Sequence, residues 1–175
     1  MSIITVDNYY PTNLKYDKVK PRVFRFDYRK HKYAVYIYLD PFHSGHYKYE
    51  FECCGKKQKL ETAYLPVYIG KLEHPLQYRM NHHINNFTRN IDDTQNQYKK
   101  KFFQELERQI EQNKESGNPD PLMPRSLDEY KKNWIVIIKT FDNINDLREY
   151  ERSLIKAIGT QFDNSGPLVN KKKGN

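Results

Sequence analysis

A glutamate lies on the apolar side of the helix that the sequence predicts over Ile144 to Ile158. The other members of that side are Ile144, Leu147, Leu154, Ile155 and Ile158, and Glu151 falls seven residues after the first and seven before the last. A carboxylate in such a position is partly buried, which is unfavourable unless a cation or hydrogen-bond donors meet it. It is either a ligand for a hard cation such as Mg²⁺ or the ion-pair partner of Arg148 or Arg152, and both readings stay open. Glu149 is expected to face solvent elsewhere.

Two tyrosines lie on predicted strands, in Ala34-Val35-Tyr36 and in Tyr68-Ile69-Gly70-Lys71. Tyr36 and Tyr38 should share one face of their strand, because side chains of a strand repeat every two residues. A phenol is a poor base at neutral pH unless nearby cations lower its pKa, and Lys71, Arg79 and a metal ion would supply that charge. Without those cations the tyrosines are ordinary core aromatics with buried hydroxyl groups.

An arginine and a histidine follow at helical spacing. Arg79 and His83 are four residues apart and therefore share one face of a helix. A guanidinium clamps a phosphate through two hydrogen bonds, and a neutral imidazole accepts or relays a proton. His74 is a second candidate because it comes three residues after Lys71. A solvated basic face is the alternative for Arg79 and His83, and a plain surface histidine is the alternative for His74.

Three strands are predicted to position these residues. Tyr33 to Leu39 is an almost unbroken apolar run that Asp40-Pro41 should end, and Leu65 to Ile69 is a second strand, after which Gly70 turns the chain. Between them, residues 43–61 alternate aromatic and charged side chains, which predicts a protruding antiparallel hairpin with a basic tip. Trp134 to Ile138 is the third strand.

Three helices complete the predicted architecture. Leu76 to Phe87 forms a short one, and residues from about Thr94 to Lys114 form a longer one with Tyr98, Phe102, Leu106 and Ile110 at spacing four. The last helix, Ile144 to Ile158, is expected to begin after a capping Asn143 and to stop at Gly159. The tail, Gly166-Pro167-Leu168-Val169-Asn170 and then three lysines, should be extended and basic.

Composition limits the class of protein. The chain has 175 residues and a net charge of +8, which favours one domain and a polyanionic partner. The sequence lacks the run of 18 or more apolar residues that a membrane span requires and shows no signal peptide. Its two cysteines, Cys53 and Cys54, are adjacent, and neighbours rarely form a disulfide or, alone, a zinc site. These features predict a reduced, cytoplasmic protein.

Five short segments, in chain order, resemble the motifs of the GIY-YIG nuclease family. They are Ala34-Val35-Tyr36, Tyr68-Ile69-Gly70 with Lys71, Arg79 with His83, Glu151 with Leu154-Ile155, and Gly166-Pro167-Leu168-Val169-Asn170. The resemblance spans roughly residues 33 to 170. Ala34 stands where that family has glycine, Leu72 where many members have one after the lysine, and the segments between motifs are longer than the family minimum.

The resemblance implies an α/β (α+β) fold, a small three-stranded antiparallel sheet flanked by helices, with residues 1–30, 43–61 and 87–125 as additions to the core. It also implies hydrolysis of a DNA phosphodiester with one Mg²⁺ or Mn²⁺ ion. Glu151 would hold the metal, Tyr36 would act as the base or align the attacking water, and Tyr68 would orient that water or the phosphate. In the remaining roles, Arg79 and Lys71 would neutralise charge, His83 or His74 would relay protons, and Asn170 would hydrogen-bond within the site.

The resemblance further implies a restriction-type enzyme or one of a phage or mobile element, in which the three additions contact DNA. A homodimer would allow both strands to be cut, and the helix over 94–114 would supply that contact or pack in its own core. Two alternatives from other classes remain: a non-catalytic basic nucleic-acid-binding module, and a structural protein whose basic surface binds an acidic protein.

Overall fold

A long hairpin of two strands forms most of the sheet in the computed structural model, which describes residues 33–73 and 96–171. Strand β1 runs over Tyr33–Cys53 and strand β2 over Lys56–Leu72. Strand β3, Ile135–Phe141, pairs antiparallel with the other side of β1, so that the strand order is β2-β1-β3. The protein therefore has an α+β fold with a three-stranded antiparallel sheet, as the sequence predicts.

Asp40 and Pro41 do not end β1, contrary to the prediction. The pairing of β1 with β2 shifts register between Tyr38 and Leu39 and again between Asp40 and Ser44, and then continues to the hairpin tip. Proline cannot donate to the hydrogen-bond ladder, and an irregularity of this kind accommodates it without ending the strand. The predicted short strands and the inserted 43–61 hairpin are thus parts of one continuous ribbon.

Three helices follow β2 within the described residues: α1 over Gln97–Glu115, α2 over Leu127–Asn133 and α3 over Ile144–Ile158. Helix α3 has the predicted bounds. The side chain of Asn143 accepts hydrogen bonds from the backbone N–H groups of residues 145 and 146, at 2.8 and 3.3 Å, and Gly159 ends the helix with a φ of 89°. Helix α1 begins after Asn96, close to its predicted start.

Helix α2 was not predicted, although the sequence carries a marker for it. The hydroxyl oxygen of Ser126 accepts a hydrogen bond from the backbone N–H of Glu129 at 3.1 Å, and a serine followed three residues later by glutamate is a common helix start. Trp134 lies at the end of α2 instead of opening the third strand, and β3 extends beyond the predicted Ile138 to Phe141.

The hydrophobic core lies between the sheet and its helices. Helix α3 packs against both β1 and β2. Helix α1 buries Phe103, Leu106 and Ile110, whereas Tyr98 and Phe102 of the predicted stripe are half-buried. The apolar side of α1 therefore packs in the protein's own core, which was the second of its two expected roles.

The tail after α3 is held against the rest of the protein by backbone hydrogen bonds. The backbone N–H of Leu168 donates to the oxygen of Gly159 at 3.0 Å, and that of Val169 donates to the oxygen of Val67 at 2.8 Å. Leu168 and Val169 are both fully buried. The segment therefore lies along β2 as part of the fold.

Several predictions concern residues outside the described ranges. These are the addition at 1–30, residues 87–95 of the addition at 87–125, the helix over Leu76 to Phe87, and the candidate residues His74, Arg79 and His83. Within the described ranges, no helix has the length and apolar character needed to cross a membrane.

Candidate active site

Tyr36 and Gly70 face each other across β1 and β2. A Cβ atom added to Gly70 would lie 2.1 Å from Cζ of the Tyr36 ring and 2.4 Å from its hydroxyl oxygen. The expectation that Gly70 turns the chain is wrong, because β2 continues through it to Leu72. The position requires glycine because the Tyr36 ring occupies the space above it.

Three tyrosine rings cluster beside that glycine. Tyr38 is the cross-strand neighbour of Tyr68, and their ring centroids are 5.4 Å apart. The Tyr36 ring lies 6.0 Å from that of Tyr38 and 6.5 Å from that of Tyr68. The predicted shared face of Tyr36 and Tyr38 is confirmed. Tyr36 and Tyr38 are buried, whereas Tyr68 keeps part of its surface exposed.

Glu151 is buried on α3, with 4% of its surface exposed. Its Oε1 atom lies 3.3 Å from Nζ of Lys71, which also lies 3.4 Å from Oε1 of Glu73. The expected pairing of Glu151 with Arg148 is wrong, because the Arg148 guanidinium donates to Glu73 at 3.0 Å. The lysine that follows Gly70 therefore bridges two carboxylates.

The buried acid and the phenols perturb each other electrostatically. Burial raises the pKa of Glu151 from 4.5 to about 7, and the ammonium of Lys71 opposes this rise. Burial raises the pKa of Tyr68 to about 12, with the charge of Glu151 as the second cause. The pKa of Tyr36 is also raised well above its usual range, by burial first and then by Tyr68, Tyr38 and Glu151.

Two consequences follow from these pKa values. Glu151 lies close enough to both Tyr36 and Tyr68 for its charge to act on each hydroxyl group. The described cations do not lower the pKa of either phenol, contrary to the requirement for a phenolate base. At neutral pH both hydroxyl groups are therefore protonated and can donate a hydrogen bond.

Asn170 fixes the strand that carries Tyr68 and Gly70. Its Oδ1 atom accepts a hydrogen bond from the backbone N–H of Ile69 at 3.1 Å, and its Nδ2 atom donates to the oxygen of Ile69 at 2.9 Å. The side chain of Asn96 in turn donates to the oxygen of Val169 at 2.9 Å. Asn170 was expected to hydrogen-bond within the site, and the bonds of its amide make it a positioning residue.

Two lysines lie near one another at this end of β2. Lys171 follows Asn170 directly, and Lys99 is in the first turn of α1. Burial lowers the pKa of Lys99, and the charge of Lys171 lowers it further. Two ammonium groups held close together form an attractive position for an anion.

The donor atoms beside Lys71 suit a small divalent cation. Glu151 and Glu73 offer carboxylate oxygens, and Mg²⁺ is commonly held by one or two carboxylates while it keeps several waters. Burial raises the pKa of Glu151 more than Lys71 lowers it, so that a further cation at this carboxylate would favour its ionised form. The residues present therefore fit the expected metal ion.

The sequence analysis did not recognise that Gly70 makes room for the Tyr36 ring, or that Glu73 belongs to the site. Pairing the two predicted strands residue by residue would have placed Tyr36 opposite Gly70. No local sequence signal marks Glu73 as a neighbour of Glu151. No family model, no curated protein and no solved structure matches the chain.

Proposed function

We propose that the protein is a metal-dependent DNA endonuclease that hydrolyses phosphodiester bonds. The observation that carries the proposal is the buried carboxylate of Glu151, which lies against Lys71 and within electrostatic reach of Tyr36 and Tyr68. Titratable groups whose pKa is strongly perturbed by burial and a charged partner concentrate at functional sites.

The arrangement suits a reaction in which negative charge increases. The transition state of phosphodiester hydrolysis carries more negative charge on oxygen than the substrate does, so that cations and donors fixed in advance lower its free energy. Lys71 supplies an ammonium group and the two tyrosines supply hydroxyl donors. A divalent ion held by Glu151, when bound, would add charge next to the leaving oxygen.

The two tyrosines differ in the roles that their surroundings allow. Tyr36 is the more deeply buried of the pair and its pKa is raised, which favours alignment of the water over removal of its proton. Tyr68 keeps part of its surface exposed, and we assign its hydroxyl group the role of orienting the water or the phosphate. Arg79, His83 and His74 lie outside the described residues, and their roles as charge neutraliser and proton relays stay predictions.

Two observations support binding of DNA: the net positive charge of the chain, and two lysines close to the proposed active site. The chain carries a net charge of +8, and Lys99 and Lys171 lie at the end of β2 that holds Tyr68. Such lysines contact phosphates, which strengthens binding at low salt without reading sequence. Cleavage of both strands would need two sites, and a homodimer would provide them.

Nicking of a supercoiled plasmid, with and without Mg²⁺ or Mn²⁺, tests the proposal. Wild-type protein should convert the plasmid to open circles only when a divalent ion is present. Glu151→Gln should lower the rate by about 100-fold or more, the usual effect of removing one group that stabilises the transition state. Glu107→Gln, at an exposed position of α1, is the matched control and should cut normally.

Two results would count against the proposal. The first is nicking by Glu151→Gln at the wild-type rate, which would point to a contaminating nuclease. The second is wild-type protein that binds DNA with a steep salt dependence but never cuts it with either ion. That second result would establish the alternative, a non-catalytic nucleic-acid-binding module.

If the wild-type protein does cut DNA, sequencing the ends cut from a long DNA will show whether it selects its sites.

A further inference from the structure

The tip of the β1–β2 hairpin carries two adjacent cysteines in an unusual backbone conformation. Cys53 ends β1, and Cys54 and Gly55 form the two-residue turn with φ values of 55° and 72°. Positive φ at both central residues is typical of the tight hairpin turn in which asparagine or aspartate usually takes the first position. A cysteine there is uncommon because few residues other than glycine adopt positive φ.

The turn brings the two sulfur atoms together. Successive side chains of an extended strand point to opposite faces, which would separate the thiols of neighbouring cysteines. Here the left-handed backbone of Cys54 redirects its side chain, and the two Sγ atoms are 3.0 Å apart. Cys53 is buried and Cys54 is exposed, so that the pair opens to solvent on one side.

Two carboxylates of α3 face the same pair. Glu149 accepts a hydrogen bond from the backbone N–H of Cys54 at 3.1 Å through Oε1, and its Oε2 atom lies 3.6 Å from the Cys54 sulfur. Oδ1 of Asp146 lies 3.6 Å from the same sulfur. Asp146 and Glu149 are three residues apart and share one face of the helix. The hairpin tip is thus held against α3. The prediction of a protruding tip is wrong.

The two thiols and the two carboxylates lie together, and Lys139 is a cation that acts on Cys53. Burial raises the pKa of Cys53, and the charges of Glu149 and Asp146 raise it further, with Lys139 as the opposing cation. Burial also raises the pKa of Cys54. The neighbouring Cys53 thiol and the two carboxylates raise it further. A divalent cation among these groups would supply the missing charge and displace the thiol protons.

We propose that Cys53, Cys54, Asp146 and Glu149 bind one Zn²⁺ ion. The potential ligand atoms of the two cysteines and Glu149 all lie within 4.8 Å of one another. Asp146 lies outside that set, but its Oδ1 atom is 3.6 Å from the Cys54 sulfur, so that it would supply the fourth ligand by turning towards the ion. Two thiolates and two carboxylates suit zinc, which takes four ligands in a tetrahedron. Tetrahedral bonds of about 2.3 Å to sulfur place two sulfurs about 3.8 Å apart, so that the two cysteine side chains must rotate away from their 3.0 Å contact to admit the ion.

Binding is a proton exchange without oxidation or reduction. Each thiol loses its proton to solvent as its sulfur bonds to the ion, so that two protons are released for each Zn²⁺ bound. The ion would link the hairpin tip to α3 and stabilise both. Glu149 and Glu151 are two residues apart and thus point to nearly opposite sides of α3. The zinc site is therefore separate from the proposed nuclease site, and either can exist without the other.

Titration of the reduced, metal-free full chain with Co²⁺ tests the inference directly. Cobalt occupies zinc sites and shows thiolate-to-metal absorption in the near ultraviolet only when cysteine sulfur binds it, which separates this site from histidines and from carboxylates alone. The expected result is one equivalent bound with that absorption, displaced by Zn²⁺. Zn²⁺ should also raise the melting temperature of the wild-type chain.

Three variants make the test specific. Cys54→Asn keeps a residue that the turn favours, and should lose at least half of the thiolate absorption and the thermal shift. Glu149→Gln should weaken Co²⁺ binding by at least tenfold, whereas Glu52→Gln, an exposed acid of the same hairpin, should bind normally. The proposal is overturned by a wild-type chain without thiolate absorption, or by absorption that Cys54→Asn leaves at full strength. Nicking activity plays no part in this readout.

Discussion

The carboxyl group of Glu151 is expected to reduce the stability of the protein that carries it. Its side chain is 6% exposed, and burial raises its pKa from 4.5 to about 7. The folded state therefore binds this proton more tightly than the unfolded state does. Wild-type stability should fall as the pH rises from about 4.5 to about 7 and should stay level above that range, as far as this group is concerned.

Replacement of Glu151 by glutamine removes this penalty while it keeps the shape of the protonated side chain. Lys71 retains a carboxylate neighbour in the variant, because Glu73 lies 3.4 Å from its ammonium group. Each pKa unit corresponds to about 1.4 kcal/mol. Glu151→Gln should therefore raise the free energy of unfolding by about 1 kcal/mol at pH 5 and by about 3 kcal/mol at pH 8.

Urea denaturation at several pH values measures this difference. The single tryptophan, Trp134, is fully buried and gives a fluorescence signal for unfolding. Glu107→Gln, at an exposed position, should show the same pH dependence as wild type. The raised pKa of Glu151 would be refuted by a Glu151→Gln variant that is no more stable than wild type at pH 8, or whose advantage does not grow between pH 5 and pH 8. If Glu151→Gln is more stable than wild type and no longer nicks DNA, the carboxylate of Glu151 serves function at the expense of stability.

Three further predictions concern the same region. Gly70→Ala should lower the free energy of unfolding by about 1–3 kcal/mol, because its Cβ would overlap the Tyr36 ring, and unchanged urea denaturation would contradict this. Asn170→Ala should cost about 1–3 kcal/mol in the same assay, since it leaves backbone groups of Ile69 without their hydrogen bonds, and a neutral effect would show that solvent replaces them. At limiting Mg²⁺, nicking should increase up to about pH 7 and then level off as Glu151 ionises. Lys71→Met should shift that profile to higher pH, because Lys71 favours the ionised form, whereas an unshifted profile would exclude Glu151 as the titrating group.

Local residues determined the elements that the sequence predicted well. Helix α3 has a capping asparagine, a terminal glycine and an apolar side at helical spacing, and all three act within the helix itself. The burial of Glu151 followed from the same spacing and is confirmed. The antiparallel pairing of β1 with β2 was predictable because a hairpin joins them.

Predictions failed where tertiary contacts override local preference. Proline often ends a strand, yet β1 continues past Pro41 because β2 pairs with residues on both sides of it. Lys71 pairs with Glu151 and Glu73, contacts that form only after β2 and α3 pack together. The cysteine cluster is the same kind of case, since its carboxylates come from α3, more than 90 residues further along the chain.

The clasp of Asn170 on Ile69 has a consequence for solubility. Strand β2 is at one edge of the sheet, and an edge with unpaired backbone groups is a template for joining the sheet of another molecule. The side-chain amide of Asn170 imitates a peptide group of a neighbouring strand and, with the N–H of Val169, occupies this edge from Val67 to Ile69. Cleavage after Ser165 would remove residues 166–175 and expose the backbone groups of this edge. The cleaved protein should therefore form fibrils or amorphous aggregates sooner than the intact chain.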